Sequence, residues 1–308
     1  MYQLNHVLVT LDLSDMDDSL IRYTNFLVDK IKPDSVTFLH VLRPYEIPKD
    51  IIEAFPHLDE PVADVIREGL QEKIDDLFTP ESDVKTTIKV QEGYPTETIV
   101  KFTQKNDITL TLMGKKMGYE GRGSIVRKVL GIIPSSVMLV SETAHREIKN
   151  VLVRMDFSKM SEMALKMALR LKELTGSEVL CHHVHKLPLN YFPQSNPEQD
   201  KRLQQYVEKH SNKEFQKFMK RFKYNADEIP FSYSLDIENE EAQILYSRAL
   251  AVSADMIVIG SKIKSELADI IVDTTSEKLA APDKNIPVFI VKDRKQTMGF
   301  LKALFPKK

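Results

Sequence analysis

Between residues 114 and 124 the chain reads Gly114-Lys-Lys-Met-Gly118-Tyr-Glu-Gly121-Arg-Gly123-Ser124, and four of its ten glycines fall in this stretch. Glycines let backbone N–H groups turn toward a ligand, and a following helix start adds unpaired donors, so such a loop suits a bound anion. Lys115, Lys116 and Arg122 add formal positive charge beside it. A plain surface turn is the competing reading. The Walker pattern is absent, because no Gly-Lys-Ser or Gly-Lys-Thr occurs. Asp12 is the second candidate, placed directly after the apolar run Val7-Leu-Val-Thr-Leu11. There a carboxylate can accept from a sugar hydroxyl or a base edge, or it can join Ser14 and Asp15 in capping the next helix. Cys181-His-His183-Val-His185 invites a metal. Along a strand, however, Cys181, His183 and His185 share one face while His182 takes the other, so one strand cannot surround an ion, and no metal site is expected. Gly-x-Ser-x-Gly, His-Glu-x-x-His and kinase signatures do not occur, so no catalytic residue is nominated.

The elements that must hold these residues are written twice. His6-Val-Leu-Val-Thr-Leu-Asp12-Leu-Ser14 returns as Asn150-Val-Leu-Val-Arg-Met-Asp156-Phe-Ser158, and Phe38-Leu-His40-Val41 as Cys181-His-His183-Val184. Leu110-Thr-Leu-Met-Gly114 returns as Met256-Ile-Val-Ile-Gly260, and Ser136-Val-Met-Leu-Val140 as Pro287-Val-Phe-Ile-Val291. Four landmarks in one order indicate a duplicated domain with small insertions. Within the first copy, short apolar runs predict strands at 7–11, 36–41, 86–90, 108–113 and 137–140. Helical spacing predicts helices at 15–31, 61–78 and 95–104 and another starting at 124. The second copy predicts strands near 151–155, 179–184, 231–235, 256–259 and 288–291, with helices near 160–174, 198–223, 239–252 and 266–280. Strands alternating with helices give a parallel sheet covered on both faces, so each copy is a doubly wound α/β domain. Its ligand crevice lies at the carboxyl ends of the strands, where strand order reverses. The expected domains are 1–146 and 147–293, each with its own sheet and not one continuous sheet. A basic tail at 294–308 follows, with Phe300, Leu301, Leu304 and Phe305 on one helical face.

Composition narrows the function classes. At 308 residues, 42% hydrophobic and 29% charged, the chain is of ordinary globular type with room for two domains. A lone Cys181 closes no disulfide and builds no cysteine metal site within the chain. The N-terminus lacks the basic-then-apolar pattern of a secretory signal, and no apolar run approaches the ~20 residues that span a bilayer, so a cytoplasmic protein is expected. Residues 1–146 carry 17 basic against 23 acidic side chains and residues 147–308 carry 26 against 22. That surplus is too dispersed for a nucleic-acid groove.

Two copies of Val-Leu-Val-x-x-Asp-x-Ser, each with a histidine in strand two and a glycine ending strand four, run in one order from about residue 5 to residue 292. In this the chain resembles the universal stress protein family in its tandem form. The resemblance implies Rossmann-like domains of strand order 3-2-1-4-5, pairing through their fifth strands as two subunits would. It also implies ATP or another adenine nucleotide in the first domain. Asp12 would meet ribose or adenine, the Val41 backbone adenine, and Gly114, Gly118, Gly123 and Ser124 the phosphates. Any Mg would arrive with the nucleotide. ATP-binding members carry Gly-x₂-Gly-x₉-Gly-Ser/Thr, whereas here Gly118 follows Gly114 by one residue more and the stretch before Gly123-Ser124 is shorter. In the second copy Ile263 stands at the second glycine and Asp273-Thr274 at the final pair. A carboxylate there repels phosphate while stabilising the helix start, so this copy is expected to keep the fold without the site. The function implied is a non-enzymatic stress-response sensor or regulator. A nucleotide-free scaffold for a protein or small ligand, and an adenine-nucleotide hydrolase, stand as alternatives. Homo-oligomerisation is left open, and neither nucleic acid nor a membrane span is expected.

Overall fold

The computed structural model describes residues 4–45, 62–115, 125–187, 197–261, 263–266, 269–272, 274–279 and 285–304. Runs such as Val7-Leu8-Val9, Val137-Met138-Leu139-Val140 and Ile257-Val258-Ile259 are apolar at successive positions, so both faces must be covered; all of these side chains are buried. They become the central strands. The first copy runs β1 (His6–Leu11), α1 (Met16–Ile31), β2 (Ser35–Leu42), α2 (Val62–Leu77), β3 (Lys85–Glu92), α3 (Pro95–Lys105), β4 (Leu110–Lys115), α4 (Ile125–Ile132) and β5 (Ser136–Ser141). The second runs β6 (Asn150–Arg154), α5 (Lys159–Thr175), β7 (Glu178–Lys186), α6 (Pro197–Arg221), β8 (Phe231–Asp236), α7 (Glu241–Ala251) and β9 (Met256–Gly260). It continues through β10 (Ile263–Glu266), β11 (Asp269–Val272), α8 (Thr274–Leu279), β12 (Val288–Val291) and α9 (Arg294–Leu304).

The strand order is β3-β2-β1-β4-β5-β12-β9-β6-β7-β8. Each copy therefore keeps the 3-2-1-4-5 order, and within this sheet every pairing inside a copy is parallel. The expectation of one sheet per copy is corrected. A single ten-stranded sheet forms because β5 and β12 pair antiparallel, with Met138 opposite Phe289. The reason lies in the seam strands, whose side chains are buried from Ser136 to Ser141 and from Val288 to Val291. An open edge this apolar would be left with unpaired backbone groups. Lys292 follows β12 into the seam, where its Nζ donates to the Leu130 carbonyl at 2.7 Å and to Ser261 Oγ at 3.3 Å.

Side chains on the two faces form two cores, each shared by both copies. One lies under α1, α2, α5 and α6, and the other under α3, α4, α7 and α8. A second correction concerns 266–280, where a continuous helix was expected. Instead β10 and β11 pair as a two-stranded antiparallel ladder, and among the described residues of this stretch helix is found at Thr274–Leu279. Ile270, Ile271 and Val272 are consecutive β-branched residues, whose stiff χ1 favours extended backbone. β11 lies beside α4 of the first copy. Of the tail, α9 starts against the first copy, where Arg294 Nη2 donates to Asp107 Oδ1 at 2.7 Å and Thr297 is buried. Phe305 lies outside the described residues.

Candidate functional site

The sheet order reverses at β1, whose neighbours β2 and β4 are reached by crossovers on opposite faces. A crevice must open past its carboxyl end. There the first copy holds a cavity of about 240 Å³, with walls from Thr10, Leu39, Ile99, Met113, Ile125 and Val126 and with Asp12, His40 and Arg43 among its polar lining.

The turn after β1 is built around Asp17, a buried carboxylate near the start of α1. It accepts from the Asp12 N–H at 3.0 Å and the Leu13 N–H at 2.8 Å. Leu13 takes the left-handed conformation, φ 63°, which aims both N–H groups inward. Asp12 is left exposed, its Oδ1 accepting from Ser14 Oγ at 2.5 Å. The capping reading is thus answered locally: Asp15 is the N-cap residue of α1 without a side-chain bond, and the buried carboxylate holding the turn is Asp17. Burial raises the Asp17 pKa, the two backbone N–H bonds oppose that, and the charge of Asp12 reinforces it. His40 Nδ1 lies 3.0 Å from the Leu11 carbonyl, tying β2 to the end of β1.

Val41 lines the same cavity. The β1–β2 ladder stops at Leu11 opposite His40, while the Leu42 carbonyl accepts from Gly93 on the β3 side. Backbone direction alternates along a strand, so the Val41 peptide groups face the other way, toward the end of β1. Gly114, next to last in β4, lies against α1, and a Cβ there would come within 2.5 Å of Met16 Cγ. At the equivalent Gly260 a Cβ would come within 2.3 Å of the Met160 carbonyl oxygen. This glycine has a packing task in both copies. Asp12, Val41 and Gly114 thus line one cavity, whereas Gly118, Gly123 and Ser124 lie outside the described residues.

The second crevice is chemically different. Where the first has Thr10, Pro95, Ile125 and Arg43, the offsets between the copies place Arg154, Glu241, Thr275 and Lys186. These four form one network. Arg154 Nε donates to Glu241 Oε1, while Lys186 Nζ and Thr275 Oγ1 each lie 3.2 Å from Oε2. Burial acts to raise the Glu241 pKa, but the bonds and charges of Arg154 and Lys186 outweigh it and hold the carboxyl below its ordinary range. Asp156, the counterpart of Asp12, is turned onto its own loop. It accepts from the Ser158 N–H at 3.0 Å and from Ser161 Oγ, and Arg154 lies 3.8 Å away. Those bonds and that charge overcome burial and lower its pKa. His183 repeats the role of His40, with Nδ1 2.7 Å from the Met155 carbonyl. Phe157 matches Leu13 at φ 58°, yet packs on His183 with ring centroids 4.6 Å apart.

A model of the universal stress protein family matches residues 3–141 and again residues 147–292. The chain belongs to the universal stress protein family. Among solved structures, a universal stress protein from Archaeoglobus fulgidus is similar at 20% identity and a TM-score of 0.63, over 95% of this chain and 100% of that one. A protein of unknown function from Pseudomonas aeruginosa PAO1 is similar at 12% identity and the same TM-score, over 98% and 96%. At such identities these structures speak to the fold. A search of curated proteins finds no match. Within this universal stress protein, no described helix is long and apolar enough to cross a membrane, and no described group of His, Cys, Asp or Glu could hold a metal ion.

Sequence reasoning passed over Asp17, Arg43 and Met16 of the first crevice and the whole network of the second. A usable signal was there. Setting the copies side by side exposes Thr10 against Arg154 and Pro95 against Glu241, two neutral positions replaced by opposite charges.

Proposed function

We propose that the first copy binds ATP or another adenine nucleotide and that this cytoplasmic protein acts as a non-enzymatic sensor or regulator. The second copy would serve as its intrachain structural partner through the fifth-strand seam, within the two domains drawn at 1–146 and 147–293. One observation carries the reading: the first crevice keeps an apolar-walled cavity with an exposed carboxylate at its rim, where the equivalent residues of the second are joined in ion pairs. At about 240 Å³ the cavity lies near the lower end of ligand sites, which run from roughly 300 to 1,000 Å³. That size suits a base with part of its sugar and leaves phosphates outside. Apolar walls accept the faces of a purine, the Val41 backbone its polar edge, and Asp12 a ribose hydroxyl. Phosphates would then extend past Gly114 toward Gly118, Gly123 and Ser124, with Mg bound only through the nucleotide.

The test is calorimetric titration of ATP into the wild type, Thr10→Arg and Gly123→Val, beside mass spectrometry of small molecules released on denaturation. Saturable binding by the wild type, weakened about tenfold or more in each variant, is expected. Equal or absent binding in all three overturns the proposal in favour of a nucleotide-free scaffold. ATP turnover that Asp12→Ala abolishes would move the assignment to a hydrolase.

A further inference from the structure

The ten-stranded sheet ends in two outer strands that are built differently. β3 carries Lys85, Lys89 and Glu92, all exposed, the kind of charge that guards an open edge. β8 reads Phe231-Ser-Tyr-Ser-Leu-Asp236, uncharged until its last residue, and Asp236 is buried. On its inner side, the Pro230 carbonyl accepts from the Cys181 N–H at 2.9 Å and the Asp236 carbonyl from the Leu187 N–H at 3.0 Å. Even-numbered residues therefore face β7, and the N–H and C=O groups of Phe231, Tyr233 and Leu235 point out of the sheet. Beside this edge runs an open groove of about 710 Å³, flanked by Gln204 from α6 and by Ser247 and Arg248 from α7, with Tyr233 and Leu235 as its floor. Arg248 Nε is buried without a hydrogen-bond partner, and among the described residues Arg248 makes no salt bridge.

We propose that the β8 edge docks an extended, acidic segment of a partner protein, which adds an eleventh strand. The outward backbone groups supply the ladder, and the flanking helices read alternate side chains. Arg248 sets the charge preference by pairing with a carboxylate. Charge argues against a second copy as occupant: two β8 edges paired about a two-fold axis would juxtapose two copies of Arg248, and the strand's one acidic side chain, Asp236, is buried and accepts from the Glu240 N–H.

The experiment uses the full chain and a fluorescein-labelled peptide of about ten residues, alternating valine and threonine and carrying two glutamates, beside its lysine counterpart. Anisotropy is expected to report binding of the acidic peptide at least about tenfold tighter than the lysine one, with the order reversed in Arg248→Glu. Tyr233→Pro removes one outward N–H, which an edge strand tolerates, and is expected to abolish binding with cooperative melting retained. Should that variant not fold, hydrogen exchange of the wild type decides, through peptide-dependent protection of the Tyr233 and Leu235 amides. Equal binding of both peptides, no binding of the acidic one, or protection elsewhere overturns the proposal. Dimers lost in Tyr233→Pro, without peptide binding, would overturn it in favour of a second copy.

Discussion

The two copies share a crevice in backbone terms and not in chemistry. Strand order, the left-handed residue after the first strand, the histidine that holds the first strand's last carbonyl and the glycine at the end of the fourth strand all recur. What separates them is a handful of side chains. Thr10, Pro95 and Ile125 line a cavity in the first copy, while their counterparts Arg154, Glu241 and Thr275 are joined by charge and hydrogen bonds. Fold and site are thus inherited separately. The glycine is the instructive case, because a residue that resemblance assigns to phosphate is already required by the approach of the first helix.

The sharpest way to break the comparison is to empty the second crevice of one partner. Glu241→Ala leaves Arg154, with 12% of its side chain exposed, without its closest carboxylate. Asp156 stays 3.8 Å from Arg154, so a loss below the roughly 3–5 kcal/mol of a wholly uncompensated buried charge is expected in denaturant unfolding. The combined change Arg154→Thr, Glu241→Pro and Thr275→Ile imports the lining of the first crevice. It should recover most of that loss, since proline is tolerated at the first position of a helix. Recovery no greater than in the single variant would show that the network does more than fill space.

A smaller effect separates the two glycines. Gly260→Ala drives a Cβ into the Met160 backbone, whereas Gly114→Ala meets the Met16 side chain, which can rotate away. Thermal melts should give Gly260→Ala the larger cost within the roughly 1–3 kcal/mol of overpacked sites. Equal costs would remove the packing distinction.

The smallest effect is one of pH, and its sign differs between the crevices. Glu241 and Asp156 have lowered pKa values, so their stabilisation is complete above the ordinary carboxylate range and is lost as pH falls through their folded values. Asp17 has a raised pKa, so its contribution is most favourable below its ordinary value and declines as pH rises through the folded one. Asp17→Asn should therefore steepen the acid loss of stability, and Glu241→Gln combined with Arg154→Met should flatten it. Both are read from unfolding midpoints across the acidic range.

Much of the fold was legible because its signals are local. Apolar runs bounded by turns marked every strand of the ten-stranded sheet to within a few residues, and the repeat fixed their correspondence. Of the helix expected at 266–280, the described residues before Thr274 are strand instead, because Ile270, Ile271 and Val272 stand in spacing that helix and strand both permit. Of the candidate site, Asp12 and Gly114 stand out by their place at strand ends and Val41 by the family resemblance, and all three line the cavity. Asp17 does not stand out, since its role depends on a left-handed residue that no composition signals.

By itself the sequence determined the copying, the alternation of strand and helix in each half and the end of the sheet at which a ligand crevice must open. These follow from short-range periodicity and from the handedness of strand–helix–strand crossovers. Only the tertiary structure decided that pairing of the fifth strands makes one continuous sheet, and that the residues facing the first cavity have counterparts joined in an ion-pair network. Those outcomes rest on contacts between residues far apart in the chain, such as Arg154 with Glu241 across 87 positions. Whether such side chains meet depends on helix placement and register, which local pattern does not encode.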